Sequence, residues 1–368
     1  MIISAEVLKR IEKFLAGFSW DIGVDLGSSN TMIYLRERGI IVNEPTLVAR
    51  LKRKRWTGLG APKMGMRKVV AYGDKAMEMR DREPKQLEVV SPIKNGVIAD
   101  LEAVENLVVY YLRLVYEVPS KYVKIFKPRI VVGVPSESTG VQRRAVREVF
   151  LKAGAREVLV FEQAVLAAMG LGLPIAGGTG LVLLDIGGGK TEISVVTGGG
   201  VVVSRSLKLG GIDFDEAIIN FLRMKYGLAV GIGSAEKLKM EVGDVSETYE
   251  NEPVGVIRGK DLGTGLPKSV KIRASEIREA VSMLLGKIQK AVESVINETP
   301  PELMDDILKR GVMMVGNGCR LKGLSSFLEK TTKITFNMVD EPGIMVILGI
   351  GELVEDSNRL KWLLEVSG

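Results

Sequence analysis

The sequence predicts an α/β protein built from two related domains, and three observations support that prediction. The chain has 368 residues, which is more than one hydrophobic core usually serves. Segments with strand-like apolar patterns alternate along it with segments of helical spacing. A strand–turn–strand unit around Asp25 recurs around Asp185. A duplicated α/β unit accounts for all three.

The composition excludes several classes of protein. Charged residues make up 26% and hydrophobic residues 46%, which is not the composition of a disordered, collagen-like or disulfide-scaffold chain. The absence of histidine excludes imidazole bases, Ser-His-Asp triads and histidine-ligated metals. The single cysteine, Cys319, excludes an internal disulfide and a multi-cysteine metal site. We see no signal peptide and no apolar run of about 18 residues, so we expect a cytosolic chain without a membrane span.

The first twenty residues have the spacing of an amphipathic helix, with charged residues between the apolar ones. Such a helix over 1–20 suits the surface of an anionic membrane, or it could pack on its own or a neighbouring subunit. A filament would repeat it many times and so strengthen weak lipid contacts. The apolar residues are Ile3, Val7, Ile11, Phe14, Leu15 and Phe18.

Basic residues are concentrated in one segment between Arg50 and Lys68, which has no acidic residue. The formal charge of the whole chain is +6, and it would be −2 without this segment, so we expect no nucleic-acid-binding face. The segment is either a solvated charged run or, with Trp56, a contact for anionic lipid or an acidic partner. Its basic residues are Arg50, Lys52, Arg53, Lys54, Arg55, Lys63, Arg67 and Lys68.

The apolar patterns along the chain predict the elements in order. They are a hairpin from Asp21 to Leu35, further strands to about 95 with a short helix near Lys75 to Met79, a helix over 101–117, a strand from Arg129 to Val134, and a helix near 139–153. The glycine-rich stretch from Gly170 to Gly180 is the candidate boundary between the halves.

The second half opens with a hairpin that matches the first. When the two hairpins are aligned on their aspartates, four identities fall within nine positions, each in a strand, Asp-x-Gly turn and strand. They are Asp25 with Asp185, Gly27 with Gly187, Thr31 with Thr191, and Ile33 with Ile193. This match indicates an internal duplication.

A turn rich in glycine and serine leaves backbone N–H groups free to bind an anion such as phosphate. An aspartate just before it makes sense if hydrated Mg²⁺ lies between the carboxylate and the phosphate. Two facing hairpins would therefore hold the phosphates of a nucleotide, although each could be an ordinary β-turn. Gly189-Lys190-Thr191 is no P-loop, because residue 184 is leucine and a strand follows.

Two further segments fit an adenosine pocket. The stretch from Gly316 to Arg320 follows an apolar strand; its glycines would admit a flat base, on which Arg320 could stack. Glu236 and Lys239 lie three apart on a predicted helix and could bind a ribose or base edge. Each pattern has a simpler explanation when taken alone. The first could be a common Gly-x-Gly turn after a strand, and the second a solvated Glu–Lys pair. We include Lys237 and Cys319 among the candidates.

These motifs together resemble those of the actin and heat-shock-chaperone ATPase superfamily. The motifs are Asp25–Thr31, Phe161–Ala164, Asp185–Gly189, Gly210–Asp215 and Gly316–Gly318. Four others are similar to those of the MreB family, the bacterial actins of cell shape: Gly39–Pro45, Asn95–Asp100, Gly133–Ser136 and Ala153–Val158. The resemblance runs from about Asp21 to Val354.

The resemblance implies a duplicated actin-like, ribonuclease H-like fold with an ATP cleft. Domain I would comprise 21–169 and 344–368 with a small subdomain at about 41–92, and domain II would comprise 170–343 with one at about 207–273. The implied function is a slow ATPase that polymerises at the inner membrane and organises cell shape and wall synthesis. The implied location is therefore cytoplasmic and membrane-associated, with itself, the membrane and cell-wall membrane proteins as partners.

The resemblance also assigns roles to residues. Asp25 and Asp185 would face Mg²⁺ through water. Phosphates would lie on Gly27, Ser28, Ser29 and Asn30 of one turn and on Gly187, Gly188, Gly189 and Lys190 of the other. The adenosine of ATP or ADP would contact Glu236, Lys237, Lys239, Gly316, Asn317, Gly318, Cys319 and Arg320. Gly210 and Gly211 would close the cleft.

Two departures from the family pattern affect the chemistry. Relatives usually carry Glu-Glu-Pro where this chain has Glu162-Gln163-Ala164, and the second position orients the attacking water. An amide is a poor proton acceptor, so Gln163 predicts slow hydrolysis that times assembly, with Glu162 as the second candidate. Lys190 replaces a hydroxyl residue and would either strengthen phosphate binding or point to solvent.

Other functions fit the same fold. An actin-like filament could position plasmids or organelles, since one fold hosts many functions. A small-molecule kinase would need a carboxylate aimed at a substrate hydroxyl, and the sequence offers no obvious one. A chaperone would need a peptide-binding domain beyond Gly368, which we do not expect.

Overall fold

The structure is a computed structural model that describes residues 21–52, 67–118 and 127–367. The predicted N-terminal helix, with Ile3, Val7, Ile11, Phe14, Leu15 and Phe18, lies outside the described residues. The middle of the basic segment, with Trp56, also lies outside them. No helix in the described ranges combines the length and the apolar character that crossing a membrane requires.

Strands and helices alternate along the described chain. The strands are β1 (Asp21–Leu26), β2 (Asn30–Leu35), β3 (Gly39–Pro45), β4 (Val48–Leu51), β5 (Val69–Tyr72), β6 (Leu87–Val90), β7 (Ile93–Lys94), β8 (Val97–Ile98), β9 (Arg129–Val134), β10 (Glu157–Glu162), β11 (Leu181–Ile186), β12 (Thr191–Thr197), β13 (Gly200–Leu207), β14 (Leu228–Ala229), β15 (Val254–Asp261), β16 (Pro267–Arg273), β17 (Val312–Val315) and β18 (Phe336–Met338). The helices are α1 (Gly73–Met79), α2 (Leu101–Glu117), α3 (Gly140–Lys152), α4 (Gln163–Gly170), α5 (Gly211–Tyr226), α6 (Ile232–Val242), α7 (Ala274–Glu298), α8 (Pro301–Arg310), α9 (Leu324–Thr332), α10 (Met345–Glu355) and α11 (Ser357–Ser367). Short 3₁₀ helices cover Asn317–Arg320 and Pro342–Ile344.

Two five-stranded sheets share one topology. The first has the order β3-β2-β1-β9-β10 and the second the order β13-β12-β11-β17-β18. In each, the first three strands are antiparallel neighbours and the last two continue the sheet in parallel. The equivalent strands β1 and β11 begin at Asp21 and Leu181, each four positions before its turn aspartate, which confirms the duplication predicted from the sequence.

Local sequence explains where several elements begin. The Asp100 side chain accepts a hydrogen bond from the Ala103 N–H at the start of α2. Thr139 and Gln142 form a reciprocal capping box at the start of α3. The central strand β11 is almost entirely apolar and buried, as expected for a strand covered on both faces. Both hairpins therefore project from rigid, buried strands.

Smaller units lie where the sequence analysis placed the inserted subdomains. The sheet β5-β4-β6 lies within 41–92, and the sheet β14-β15-β16 lies within 207–273. Near the end of the chain, α10 packs closely on α4. The contact is so close that a Cβ on Gly349 would overlap the Leu166 carbonyl oxygen. The C-terminal segment thus returns to the first half, while the domain bounds themselves stay predictions.

Arg50 and Arg67, at or near the two ends of the basic segment, are paired with carboxylates rather than solvated, which corrects the sequence-based interpretation for these two residues. Arg50 is 4% exposed and pairs with Glu88 at 2.8 Å and Asp100 at 2.6 Å. Arg67 pairs with the same two carboxylates at 3.0 and 3.2 Å, and with Glu102 at 3.1 Å. The carboxylates come from β6 and the start of α2, which no local pattern around residue 50 reveals.

Candidate functional site

A cavity of about 630 Å³ lies where the two sheets face each other. Both hairpin turns line it, together with the start of α4, parts of α5 and α6, and the segment from Gly316 to Lys322. Small-molecule sites generally have volumes of about 300–1,000 Å³. The cavity is therefore large enough for a nucleotide.

The two turns have the same backbone hydrogen bond. In the first, the Gly27 N–H donates to the Asn30 carbonyl at 3.0 Å; in the second, the Gly187 N–H donates to the Lys190 carbonyl at 2.8 Å. The backbone N–H groups of the two central residues of each turn have no protein acceptor among the described residues. Those residues are Ser28, Ser29, Gly188 and Gly189. Four unpaired donors on facing turns favour an anionic ligand.

The turns lie so close together that serines on one require glycines on the other. A Cβ on Gly188 would overlap the Ser29 hydroxyl and lie 2.7 Å from Ser29 Cβ. A Cβ on Gly189 would lie 3.1 Å from Ser28 Cβ. Glycine removes these contacts, so the two backbones can approach each other.

The structure places Asp25 and Asp185 in the same cavity. Burial raises the pKa of Asp25 to about 6, and the negative charge of Asp185 adds to the rise, whereas Gln163 and Lys190 oppose it. Burial also raises the pKa of Asp185, again opposed by Lys190. Each carboxylate is therefore harder to ionise than an ordinary aspartate, and a bound cation would favour its ionised form.

Lys190 is buried rather than solvent-directed, so the expectation that it could point to solvent is wrong. Its Nζ donates to Gln163 Oε1 at 3.1 Å and to Glu192 Oε2 at 2.5 Å, and the residue is 7% exposed. The Gln163 Nε2 in turn donates to Asp25 Oδ1 at 3.1 Å. Burial alone would raise the pKa of Glu192, but the Lys190 charge and hydrogen bonds from Lys190 and Ser136 bring it below its usual value.

A further part of the cavity is lined by α6 and the turn after β17. Glu236 and Lys239 both line it. Lys239 Nζ lies 2.8 Å from Asp215 Oδ1 and donates to the Gly211 carbonyl at 2.9 Å. Burial raises the pKa of Asp215 to about 6, with Lys239 opposing. Charged groups therefore line this part of the cavity.

Glycines shape the wall formed by the turn after β17. Gly316, Asn317, Gly318 and Arg320 all line the cavity. Gly316 has φ of 80°, and any Cβ there would overlap the Asp185 carboxylate. The turn consequently lies directly against the end of β11.

Four predicted site residues do not line the cavity. Lys237 is on the opposite face of α6, 3.8 Å from Glu241, because the residue after Glu236 is rotated about 100° around a helix. Cys319 faces the core, with Sγ 2.9 Å from the Val315 carbonyl oxygen. Gly210 lies behind the second turn, where its N–H donates to Asp213. Glu162 pairs with Arg143 at 2.8 Å instead of facing the cavity.

The structure also brings in residues that the sequence analysis assigned no role. Asp215 lines the cavity and lies within the quoted Gly210–Asp215 motif, which was an available signal. Gly343 lies against Asn317, since a Cβ on Gly343 would be 2.6 Å from the Asn317 side-chain nitrogen. Met32 and Gly96 also line the cavity. Gly96 lies within the quoted Asn95–Asp100 motif, whereas no motif marked Gly343 or Met32.

The fold defines the class of this protein, which is actin-like. The crystal structure of MreB5 of Spiroplasma citri bound to ADP is similar, with a TM-score of 0.84 and 29% identity over 94% of this chain and 98% of that one. MreB5 of the same organism bound to AMPPNP has a TM-score of 0.83 and 30% identity, over 95% and 99%. The MamK double helical filament, at 21% identity and a TM-score of 0.73, supports the fold alone.

The chain belongs to the MreB/Mbl family, whose model matches residues 19–362. The cell shape-determining protein MreB of Escherichia coli K12 is 38% identical over 345 residues, which cover 94% of this chain and 96% of that protein. The cell shape-determining protein Mbl of Bacillus subtilis 168 is 34% identical over 343 residues, or 93% and 98%. The resemblance seen in the motifs is thereby confirmed.

Proposed function

We propose that this protein binds Mg-ATP between its two turns, polymerises into filaments on the inner membrane surface, and organises cell shape and wall synthesis. Hydrolysis of the bound ATP would be slow and would time assembly. The observation that carries the proposal is the pair of facing turns, each preceded by an aspartate, on one nucleotide-sized cavity.

The donor set fits a magnesium triphosphate. The free N–H groups of Ser28, Ser29, Gly188 and Gly189 suit phosphate oxygens. Asp25 and Asp185 would hold hydrated Mg²⁺, and their raised pKa values give a cation a favourable place to bind. A bound Mg²⁺ would neutralise part of the phosphate charge.

The adenosine would lie along the part of the cavity lined by α6 and the turn after β17. Glu236 and Lys239 on α6 offer an acceptor and a donor for the ribose or base. Gly316 and Gly318 let this turn lie directly against the end of β11, since a Cβ on either would overlap Ile186. A base can lie against the backbone of this turn, which lines the cavity. Lys237 and Cys319 are withdrawn from this set because neither lines the cavity.

Gln163 is the residue we assign to the attacking water. Its side chain lines the cavity beside Asp25, 3.1 Å from Oδ1. A neutral amide orients water by hydrogen bonds but accepts a proton poorly, so hydrolysis should be slow. Glu162 is no longer the second candidate, because its carboxylate pairs with Arg143 away from the cavity.

The comparisons support the nucleotide and the cellular role. The solved MreB5 relatives are bound to ADP and AMPPNP, and the curated relatives are cell shape-determining proteins. Attachment to the membrane rests on the amphipathic pattern of residues 1–20. Single weak helices become an effective anchor when a filament repeats them.

Sedimentation tests both parts of the proposal. The full chain should pellet with Mg-ATP and remain in the supernatant without nucleotide, and it should bind vesicles containing anionic lipid. A chain lacking residues 2–18 should still pellet with Mg-ATP but should not bind vesicles. A matched control, Glu6→Gln, removes one charge and leaves the apolar stripe intact, so it should still bind. The proposal would be refuted if the full chain neither pelleted nor bound vesicles at any salt or nucleotide concentration.

A further inference from the structure

A row of four hydrogen-bonded polar side chains, all buried or half-buried, connects the two halves of the protein beneath the turns. It runs from Glu192 through Lys190 and Gln163 to Asp25, with contacts of 2.5, 3.1 and 3.1 Å. Glu192 and Lys190 come from the second half, whereas Asp25 comes from the first. This row of side chains ends at Asp25, the carboxylate proposed to face magnesium.

The ammonium of Lys190 is held in place from several sides. A Cβ on Gly96 would lie 3.2 Å from Lys190 Cδ, so the lysine stem passes against the turn between β7 and β8. Glu192, 3% exposed, neutralises the charge, and the Ser136 hydroxyl and N–H donate to this same carboxylate. A buried ammonium without such a partner would be strongly destabilising.

These contacts determine the orientation of the Gln163 amide. Its oxygen accepts from the Lys190 ammonium and its nitrogen donates to Asp25. Reversing the amide would place its N–H groups against an ammonium and its oxygen against a carboxylate, and both contacts would be repulsive. One acceptor lone pair and one N–H then remain available to a water molecule.

We propose that Lys190 is a positioning residue for ATP hydrolysis that acts through Gln163. It fixes the amide so that the free N–H and lone pair orient the attacking water, and it need not touch the nucleotide itself. This inference rests on the proposed function, and it assigns the buried lysine a role different from phosphate binding. Misplacing a catalytic group by about 1 Å can cost a hundredfold in rate.

The experiment uses two neutral double variants of the full chain that differ in one hydrogen-bond donor. Lys190→Met with Glu192→Gln removes the donor to Gln163 and leaves no unpaired charge. Lys190→Gln with Glu192→Gln has the same charge and a similar length but retains an N–H donor. Because both double variants carry Glu192→Gln, the loss of that carboxylate does not affect the comparison between them. ATP affinity, single-turnover hydrolysis and sedimentation are measured for each protein.

We expect the methionine variant to hydrolyse ATP at least about tenfold more slowly, with its ATP affinity within about threefold of wild type. The glutamine variant should stay close to the wild-type rate. A merely structural role would lower affinity and rate in both double variants alike. If the methionine variant fails to fold by circular dichroism, Lys190→Leu with Glu192→Gln, which also lacks the donor and has the same charge, takes its place.

A double-mutant cycle tests whether Lys190 acts through Gln163. Gln163→Ala alone should slow hydrolysis, and adding either Lys190 substitution should cause no further loss, because the group that the lysine positions is gone. Additive losses, or a wild-type rate in the methionine variant, would overturn the inference while leaving ATP binding intact. Absence of ATP binding by the wild type would overturn the proposed function as well.

Discussion

The two turns at the cavity share a backbone and differ in their side chains. Both close with the same N–H to carbonyl bond, at 3.0 and 2.8 Å, and both follow an aspartate. The first turn carries Ser28 and Ser29 where the second carries Gly188 and Gly189. This difference follows from their contact, since two serine-bearing turns would collide.

The last position of each turn differs even more. Asn30 is half-buried and donates to Asn43 at 2.9 Å on the neighbouring strand of its own sheet. Lys190, at the equivalent place, is buried and reaches Gln163 from the other half. Duplication therefore supplied two turns of the same backbone form, and divergence of single side chains gave the close fit between the turns and the contact from Lys190 to Gln163.

The largest effect is expected where the turns touch. In Gly188→Ala, the new methyl group would overlap Ser29 and force the turns apart, so the donors of both turns could no longer reach one phosphate chain. Hydrogen bonds to charged groups contribute about 1.5–3 kcal/mol each, and we expect ATP affinity to fall by about a hundredfold in titration calorimetry.

Two controls accompany this variant. Gly187→Ala places its methyl 3.4 Å from the Lys190 carbonyl, an ordinary contact, so its thermal stability should match wild type. Adding Ser29→Gly to Gly188→Ala removes the colliding side chain and should restore much of the affinity. Equal affinity of Gly188→Ala and wild type would show that the turns do not act together.

The carboxylates of the two turns should make stability depend on pH. The pKa of Asp25 is raised to about 6, against about 3.9 in an unfolded chain. The folded state therefore binds the proton more firmly, and the nucleotide-free protein should lose stability as pH rises from about 4 to about 6. Asp25→Asn has no such proton to lose.

The measurement is the free energy of unfolding in denaturant, at several pH values, for wild type and Asp25→Asn without nucleotide. The advantage of the variant should grow between pH 4 and 6 to at most about 3 kcal/mol and then level off. A difference that is constant with pH, or one that shrinks as pH rises, would contradict the burial of Asp25 beside Asp185.

The second half alone carries the buried Lys239–Asp215 pair. Lys239→Met leaves Asp215, whose side chain is 3% exposed, without its counter-ion, and should destabilise the protein by about 2 kcal/mol at pH 7. Adding Asp215→Asn removes the unpaired charge and should recover most of that loss. Lys237→Met, on the exposed face of the same helix, should change stability by less than about 0.5 kcal/mol. The measurement is the free energy of unfolding in urea. Equal losses in Lys239→Met and Lys237→Met would contradict the buried position of Lys239.

The smallest effect is expected where the small sheets of the two halves meet. Asp81 Oδ2, just after α1, accepts from the Gly233 N–H in the first turn of α6 at 3.2 Å. Asp81→Gly removes this exposed contact and tolerates the φ of 65° at that position, so release of a fluorescent ATP analogue should accelerate about threefold. Asp81→Asn keeps an acceptor oxygen and should release the analogue at the wild-type rate. Slower release from Asp81→Gly would mean that the contact holds the cavity open.

Sequence reasoning located the backbone of the site because that information is local. Asp25 and Gly27, like their partners Asp185 and Gly187, stand at fixed spacing between apolar strands, and the strands and turns form as predicted. The helical period also placed Glu236 and Lys239 on one face. The same period argues against Lys237, so including it among the site residues was an avoidable error.

The rest of the site depends on contacts between distant segments. The position of Lys190 is set by Glu192, Gln163 and the turn at Gly96, which come from three parts of the chain. Cys319 turns to the core because the chain after Gly316 winds into a 3₁₀ helix, in a stretch too short for a periodic pattern to show. Gly343 reaches the cavity only because α10 returns to the first half.

The most direct test of the account compares the affinities of ATP, ADP, AMP and adenosine, each with Mg²⁺, for wild type and Gly188→Ala. If the two turns hold one phosphate chain, wild-type affinity should rise steeply with the number of phosphates, while the variant should bind all four compounds with similar affinity. Wild-type protein that binds adenosine as tightly as ATP, or a variant that keeps the full preference for phosphates, would contradict it.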